Sequence, residues 1–238
     1  MPCVAAAAEE PNGTAAAPPS PFPPPLVMPP SPTPPAPPGA LTPLGRLTAW
    51  GKGFELASAV PKDLRMGSTV AALACGLNHV VALKIDGTVT AFGDQTYAQN
   101  RYGQLDVPAD LAGVVAVAAG AYHSMALKSD GTVVSWGGVI SSDVSVSYGS
   151  ADAPAGLAGV TAIAAGQYHS LALLSDGSIV TWGAQAKDNA TLSNVPASTR
   201  EAGGCVAIAA AGTYSLAVRK DGRVIGWGSN DYGTLSAS

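Results

Sequence analysis

"SLALLSDGSIVTWG" (Ser170–Gly183) sets two apolar runs on either side of Asp176-Gly177. Nearly the same words stand at Ser124–Gly137, "SMALKSDGTVVSWG", and a worn copy, "SLAVRKDGRVIGWG", stands at Ser215–Gly228. The Asp-Gly pairs at Asp86, Asp130, Asp176 and Asp221 follow one another at intervals of 44, 46 and 45 residues. Pro61, Pro108, Pro154 and Pro196 keep similar intervals of 47, 46 and 42. A period in this range marks a solenoid, a propeller or a repeat array. A half-copy, "GRLTAWG" at Gly45–Gly51, precedes the four full units, with Leu44 where the aspartate should be.

Each unit holds three short apolar runs bounded by turn residues, which predicts three strands. In the unit that ends at Gly137 they are "VVAVAAG", "SMALK" and "TVVSWG". Asp-Gly between the second and third predicts a tight hairpin, expected here as a type I′ turn. The alanine-rich first run is too short for a helix, because glycine ends it. Alternate residues of a strand face opposite sides. On one side of the third strand lie an aliphatic and a small residue: Val133 and Ser135, Ile179 and Thr181, Val224 and Gly226, Val89 and Ala91, Leu47 and Ala49. The other side ends in an aromatic: Trp136, Trp182, Trp227, Phe92 and Trp50. Such a sheet nests on a copy of itself, aromatic into notch. The fold class expected is all-β: a β-propeller of small antiparallel sheets, about four and a half blades, forming an incomplete or open ring. "GRLTAWG" lacks two inner strands, so the end faces of the arc are expected to be incompletely covered and open to self-association.

Of the 20 prolines, 16 lie between Pro2 and Pro43. Residues 1–43 are therefore expected to be a disordered or polyproline II segment, and residues 44–238 the propeller. Composition excludes several functions. The chain has 12 basic and 16 acidic side chains and a net charge of −4, without a basic block, so neither nucleic acid nor an anionic membrane is an expected partner. No apolar stretch approaches the roughly 20 residues of a membrane span. "MPCVAAAAEEPNG" lacks a basic n-region, so a cytoplasmic location is expected. Cys3, Cys75 and Cys205 form neither a disulfide framework nor a metal spacing.

The titratable residues belong to the repeat rather than to a local constellation. His79, His123 and His169 share one position and are expected to bond a turn backbone, not a metal. The Asp-Gly aspartates read as turn chemistry, and the tryptophans as core. No nucleophile elbow, P-loop or dinucleotide fingerprint is present, so no enzyme activity and no cofactor are expected. The residues that break the repeat are the candidates for protein binding: Tyr97, Arg101, Asp143, Lys187, Asp188 and Asp231, all in connections between units or after the last.

The motif "AAGxYHSxALxSDGxVxxWG", read at Ala118–Gly137 and Ala164–Gly183, resembles the regulator of chromosome condensation repeat, and Tyr102-Gly103-Gln104-Leu105 resembles that family's "YGQL" signature. The short period and "VPADLAGV" (Val107–Val114) resemble most the bacterial branch, which includes a propeller that inhibits beta-lactamases. The resemblance covers Leu44–Ser238. It implies a β-propeller and a non-catalytic protein-interaction scaffold. Two alternatives follow from it: an exchange factor or regulator of a small GTPase, and a fragment of a larger multidomain repeat protein. The last unit departs from the pattern, with Ala211 in place of the repeat glycine and Tyr214 in place of the histidine.

Overall fold

In the computed structural model, which describes residues 6–7, 46–47, 60–67, 69–93, 102–138, 150–183 and 194–229, each repeat is a three-stranded antiparallel sheet. Blade 1 comprises β3 (Val70–Cys75), β4 (His79–Lys84) and β5 (Val89–Gly93). Blade 2 is β6 (Val114–Ala119), β7 (His123–Lys128) and β8 (Val133–Gly137). Blade 3 is β9 (Val160–Ala165), β10 (His169–Leu174) and β11 (Ile179–Gly183). Blade 4 is β12 (Cys205–Ala211), β13 (Tyr214–Arg219) and β14 (Val224–Gly228). The second strand is always central, pairing with the first on one side and the third on the other. Four such sheets in sequence form an open β-propeller.

The seams between blades are built as the alternation dictates. Trp136 of blade 2 clusters with Val81, Leu83, Val89 and Ala91 of blade 1. Trp182 of blade 3 clusters with Met125, Leu127 and Val133 of blade 2, and Trp227 of blade 4 with Leu171, Leu173 and Ile179 of blade 3. Each blade thus has a leading face that carries the aromatic and a trailing face of aliphatic residues that receives the next blade. Burying both faces makes the central strands of blades 1 to 3 dry: all but the last residue of β4, β7 and β10 is buried.

The hairpins differ from the expected type I′ turn. Gly87 N–H donates to the Lys84 carbonyl and Lys84 N–H to the Thr88 carbonyl, which closes a three-residue loop with Gly87 in the left-handed region (φ 78°). This is a turn followed by a glycine bulge, not a two-residue turn. The aspartate explains the difference: Asp86 Oδ1 accepts from the Thr88 N–H at 2.9 Å and its hydroxyl at 2.6 Å, so the carboxylate spans the loop. The same contacts recur at Asp176 with Ser178. The bulge glycine also holds the next blade. Gly87, Gly131 and Gly177 carbonyls accept from the N–H of Val114, Val160 and Cys205, the first residue of each following blade.

The half-copy is better covered than its sequence suggests. A two-residue strand, β2 (Arg46–Leu47), pairs antiparallel with β1 (Ala6–Ala7). Leu47 is buried with Val60, Val70, Val80, Ala82 and Phe92, and with Leu64 of the short helix α1 (Lys62–Met66). The expected incomplete cover therefore does not hold at Leu47. Of residues 1–43 only Ala6–Ala7 are among the described residues, so the expected disorder of that segment lies outside them. At the other end the expectation holds. Val224 is 63% exposed, and the central strand of blade 4 alternates between buried and half-buried.

Candidate functional site

Each sheet has two ends. The Asp-Gly hairpins form one. The other holds the first-to-second-strand turns and the close of the third strand, where His79, His123, His169 and Tyr214 pair with Gly93, Gly137, Gly183 and Gly228. The third strand of each blade closes at this second end, where the connections between blades begin. Two of them re-enter the described residues at Tyr102 and Ser150.

A buried polar chain fixes these re-entry points. His79 Nε2 lies 3.0 Å from Ser124 Oγ on the next blade, and Ser124 Oγ donates to the Gln104 carbonyl at 3.0 Å. Trp136 Nε1 donates to that same carbonyl at 3.0 Å. One seam later, His123 Nε2 lies 2.9 Å from Ser170 Oγ; Ser170 Oγ at 2.8 Å and Trp182 Nε1 at 3.0 Å both donate to the Ser150 carbonyl. His169 meets Ser215 of blade 4 at 2.7 Å. Ser124 and Ser170 spend their only proton on a carbonyl, so His79 and His123 must carry theirs on Nε2. The histidines thus bond the next blade's serine, not a turn backbone as the sequence suggested. The repeat spacing places His of one unit beside Ser of the following one, which no single unit reveals.

Burial pushes the three imidazoles down, to about 4 for His79, about 3 for His123 and about 4 for His169. Desolvation is the main cause in each, and for His123 the charges of His79 and His169 add to it. All three rings are neutral at pH 7. Their Nδ1 atoms are buried without a hydrogen-bond partner. Among the described residues no group of three or more His, Cys, Asp or Glu is placed to hold a metal ion. No helix there is long and apolar enough to cross a membrane.

Above this polar layer, at the loop end, lies a row of tyrosines that sequence reasoning passed over as repeat motif. Tyr102 meets Tyr122 edge-on at 4.9 Å between ring centroids, and Tyr122 stacks with Tyr168 at 5.9 Å. Each is half-buried, and Gln167 Nε2 donates to Tyr168 Oη at 3.0 Å. The signal that could have found the row is the tyrosine before each histidine in blades 2 and 3, replaced by Asn78 in blade 1 and Thr213 in blade 4. The six residues proposed from sequence, Tyr97, Arg101, Asp143, Lys187, Asp188 and Asp231, lie outside the described residues. Their segments follow Gly93, Gly138, Gly183 and Ser229, all at this end.

The seam is testable at its aromatic. Trp182→Phe keeps a ring in the notch but removes one of the two donors to the Ser150 carbonyl. The expected loss is about 1 kcal/mol in a urea melt, with faster amide exchange around Ser150–Ala153. Unchanged exchange there would show that the indole N–H does not hold the loop.

Comparisons with known proteins agree with this architecture. The regulator of chromosome condensation (RCC1) repeat model matches residues 70–104, 114–138, 160–187 and 205–234. The repeat region belongs to the regulator of chromosome condensation family. Among curated proteins, none matches the sequence. Several solved structures share the fold. The ectodomain of the Physcomitrella patens receptor kinase CR4 superposes with a TM-score of 0.56 at 22% identity, over 77% of this chain and 47% of that one. Yeast RCC1 (Prp20) in complex with Kap60 gives 0.55 at 21%, over 71% and 46%. Prp20p from Saccharomyces cerevisiae, described with its binding to Gsp1p and histones, gives 0.51 at 24%, over 70% and 47%. The chain spans less than half the length of each of these.

Proposed function

We propose that the chain is a non-catalytic protein-binding scaffold whose recognition surface is the loop end of the blades. The observation that carries this is the double anchoring of Gln104 and Ser150. Two buried donors on one carbonyl fix where each loop re-enters the sheet. A rigid ring that presents loops from one end suits binding, and half-buried tyrosines are favoured interface anchors. Tyr102, Tyr122 and Tyr168 would supply the aromatic centre, with Tyr97, Arg101, Asp143, Lys187, Asp188 and Asp231 as its rim. Residues 1–43 would act as a proline-rich spacer leading into the propeller.

The test is affinity capture with the full chain, compared with two variants. Tyr122→Ala/Tyr168→Ala alters the loop end, whereas Asp130→Asn/Asp176→Asn alters the hairpin end. Partners lost from the first variant and retained by the second are expected. Equal retention by both would overturn the assignment of the face.

A second reading is regulation of a small GTPase, which the family resemblance implies and the likeness to Prp20p favours. Stimulated nucleotide release from a purified GTPase, abolished in the tyrosine variant, would select it over a passive scaffold.

A further inference from the structure

We infer that the hairpin of blade 4 is a docking site for a phosphorylated segment of a partner protein, at the end of the sheet opposite the loops. The four hairpins are equivalent in position but not in charge. In blades 1 to 3 the residue before the aspartate is Ile85, Ser129 or Ser175, and the residue after the glycine is Thr88, Thr132 or Ser178. In blade 4 both are cations, Lys220 and Arg223. The aspartate changes partners accordingly. Asp221 still accepts from the backbone N–H of Arg223 at 3.1 Å, but Arg219 Nη2, at 2.8 Å, takes the place of the hydroxyl. Arg219 Nη1 donates to Glu201 at 3.0 Å. That glutamate belongs to a 3-10 helix, Ala197–Gly203, which packs on the hairpin. Lys220 N–H donates to the Gly204 carbonyl at 3.0 Å, and Lys220 Cδ lies 3.5 Å from where a side chain on Gly203 would begin. Arg200 stands three residues before Gly203, the spacing that brings side chains of a 3-10 helix into line.

Arg219 is 5% exposed and engages both carboxylates, whereas Arg200, Lys220 and Arg223 are exposed and make no ion pair among the described residues. Four cations against two carboxylates leave a local charge of +2 on a chain whose net charge is −4. Arg219 Nε is buried without a hydrogen-bond partner, so the two carboxylates do not saturate its guanidinium. The exposure of this tip is a property of the hairpin: Ile85, Ser129 and Ser175, the counterparts of Lys220, are all exposed although a further blade follows each of them. A phosphomonoester brings about −1.5 to −2 charges and three acceptor oxygens at one point, which matches the patch, and arginine forks suit it. A single carboxylate brings half that charge. A long polyanion fits poorly for a different reason. Gly177 of blade 3 lies against Gly204, so the exposed Asp176 borders the patch and would meet any chain of phosphates that ran past it.

The test is binding of two fluorescent peptide pools to the full chain, one with phosphoserine fixed between randomised flanks and one with serine in its place. The phosphoserine pool is expected to bind at least about tenfold more tightly. Lys220→Ser/Arg223→Thr restores the residues that blade 2 carries at Ser129 and Thr132, so it should abolish the preference and leave the melting temperature unchanged. Tyr122→Ala/Tyr168→Ala, at the loop end, should leave the preference intact, so this site and the loop-end reading fail separately. Equal binding of the two pools, or a preference that survives Lys220→Ser/Arg223→Thr, overturns the inference. Displacement of the peptides by inorganic phosphate at equal concentration would mean a site for the free ion. Displacement by duplex DNA at equal phosphate would mean general attraction to polyanions, and either result overturns the assignment to a phosphorylated protein segment.

Discussion

Gly120→Ala is expected to cost about 4 kcal/mol, at the exceptional end of single-residue effects, and removal of the adjacent histidine should rescue little of it. A methyl group at Gly120 would lie 2.1 Å from His123 Cε1 and 2.5 Å from the Gly166 carbonyl oxygen of the next blade. A side chain can be cut away, but a backbone carbonyl in the neighbouring sheet cannot. Gly166→Ala is the informative contrast. There the three nearest atoms to the added carbon, at 2.1, 2.4 and 2.9 Å, all belong to the His169 ring. Gly166→Ala/His169→Ala should therefore cost less than the sum of its single variants by about 2 kcal/mol, whereas the equivalent pair at Gly120 and His123 should show a much smaller coupling. Chemical denaturation of the six proteins decides it. Equal coupling at both sites would show that the Gly166 carbonyl yields. Blade 4 already carries the permitted combination, Ala211 with no histidine at position 214.

Mild acid is expected to unfold the chain, and the three histidines set the range. In the folded state they are held down to about 4, 3 and 4, against an ordinary value of 6.5. The unfolded chain takes up protons below pH 6.5 that the folded chain refuses, so stability is whole above that pH and falls as the pH drops toward 4 and then 3. Each refused proton costs about 1.4 kcal/mol per pH unit, so at pH 5 the three together remove about 6 kcal/mol, comparable to the whole stability of a typical domain. Asp63, Asp86, Asp130 and Asp176, whose hydrogen-bonded carboxylates are held below their ordinary value, extend the loss below pH 4. Urea midpoints at pH 7, 6 and 5 measure the slope, and His79→Gln/His169→Gln should flatten it by about two-thirds. A midpoint that does not move between pH 7 and 5 would mean that the rings are not buried neutral.

The three-strand unit, its period and the aromatic-in-notch seam were legible because they repeat and because side chains alternate strictly along a strand. Trp136 and Trp182 sit against the aliphatic residues that the alternation nominated. The hairpin type was not legible from Asp-Gly alone, since the choice depends on where the carboxylate finds its donors. The cover over Leu47 was hidden for another reason. Two alanines about forty residues upstream carry no periodic signal, and α1 is too short to announce itself. Of the site, the six repeat-breaking residues proposed from sequence lie outside the described residues, and the tyrosine row was discounted for obeying the repeat.

The division of labour between His and Ser also separates the blades into parts that can be exchanged and parts that cannot. Blades 2 and 3 each carry both halves of the joint, His123 with Ser124 and His169 with Ser170, so they are cassettes: any number could be spliced in tandem with every joint made. Blade 1 can only send and blade 4 can only receive. A gene that duplicated the stretch encoding blade 2 would yield a longer chain with its grammar intact. One that copied blade 4 into the interior would set a phenol against a serine and a methyl against the neighbouring sheet. Growth of such an array is therefore permitted from the middle and forbidden at the ends.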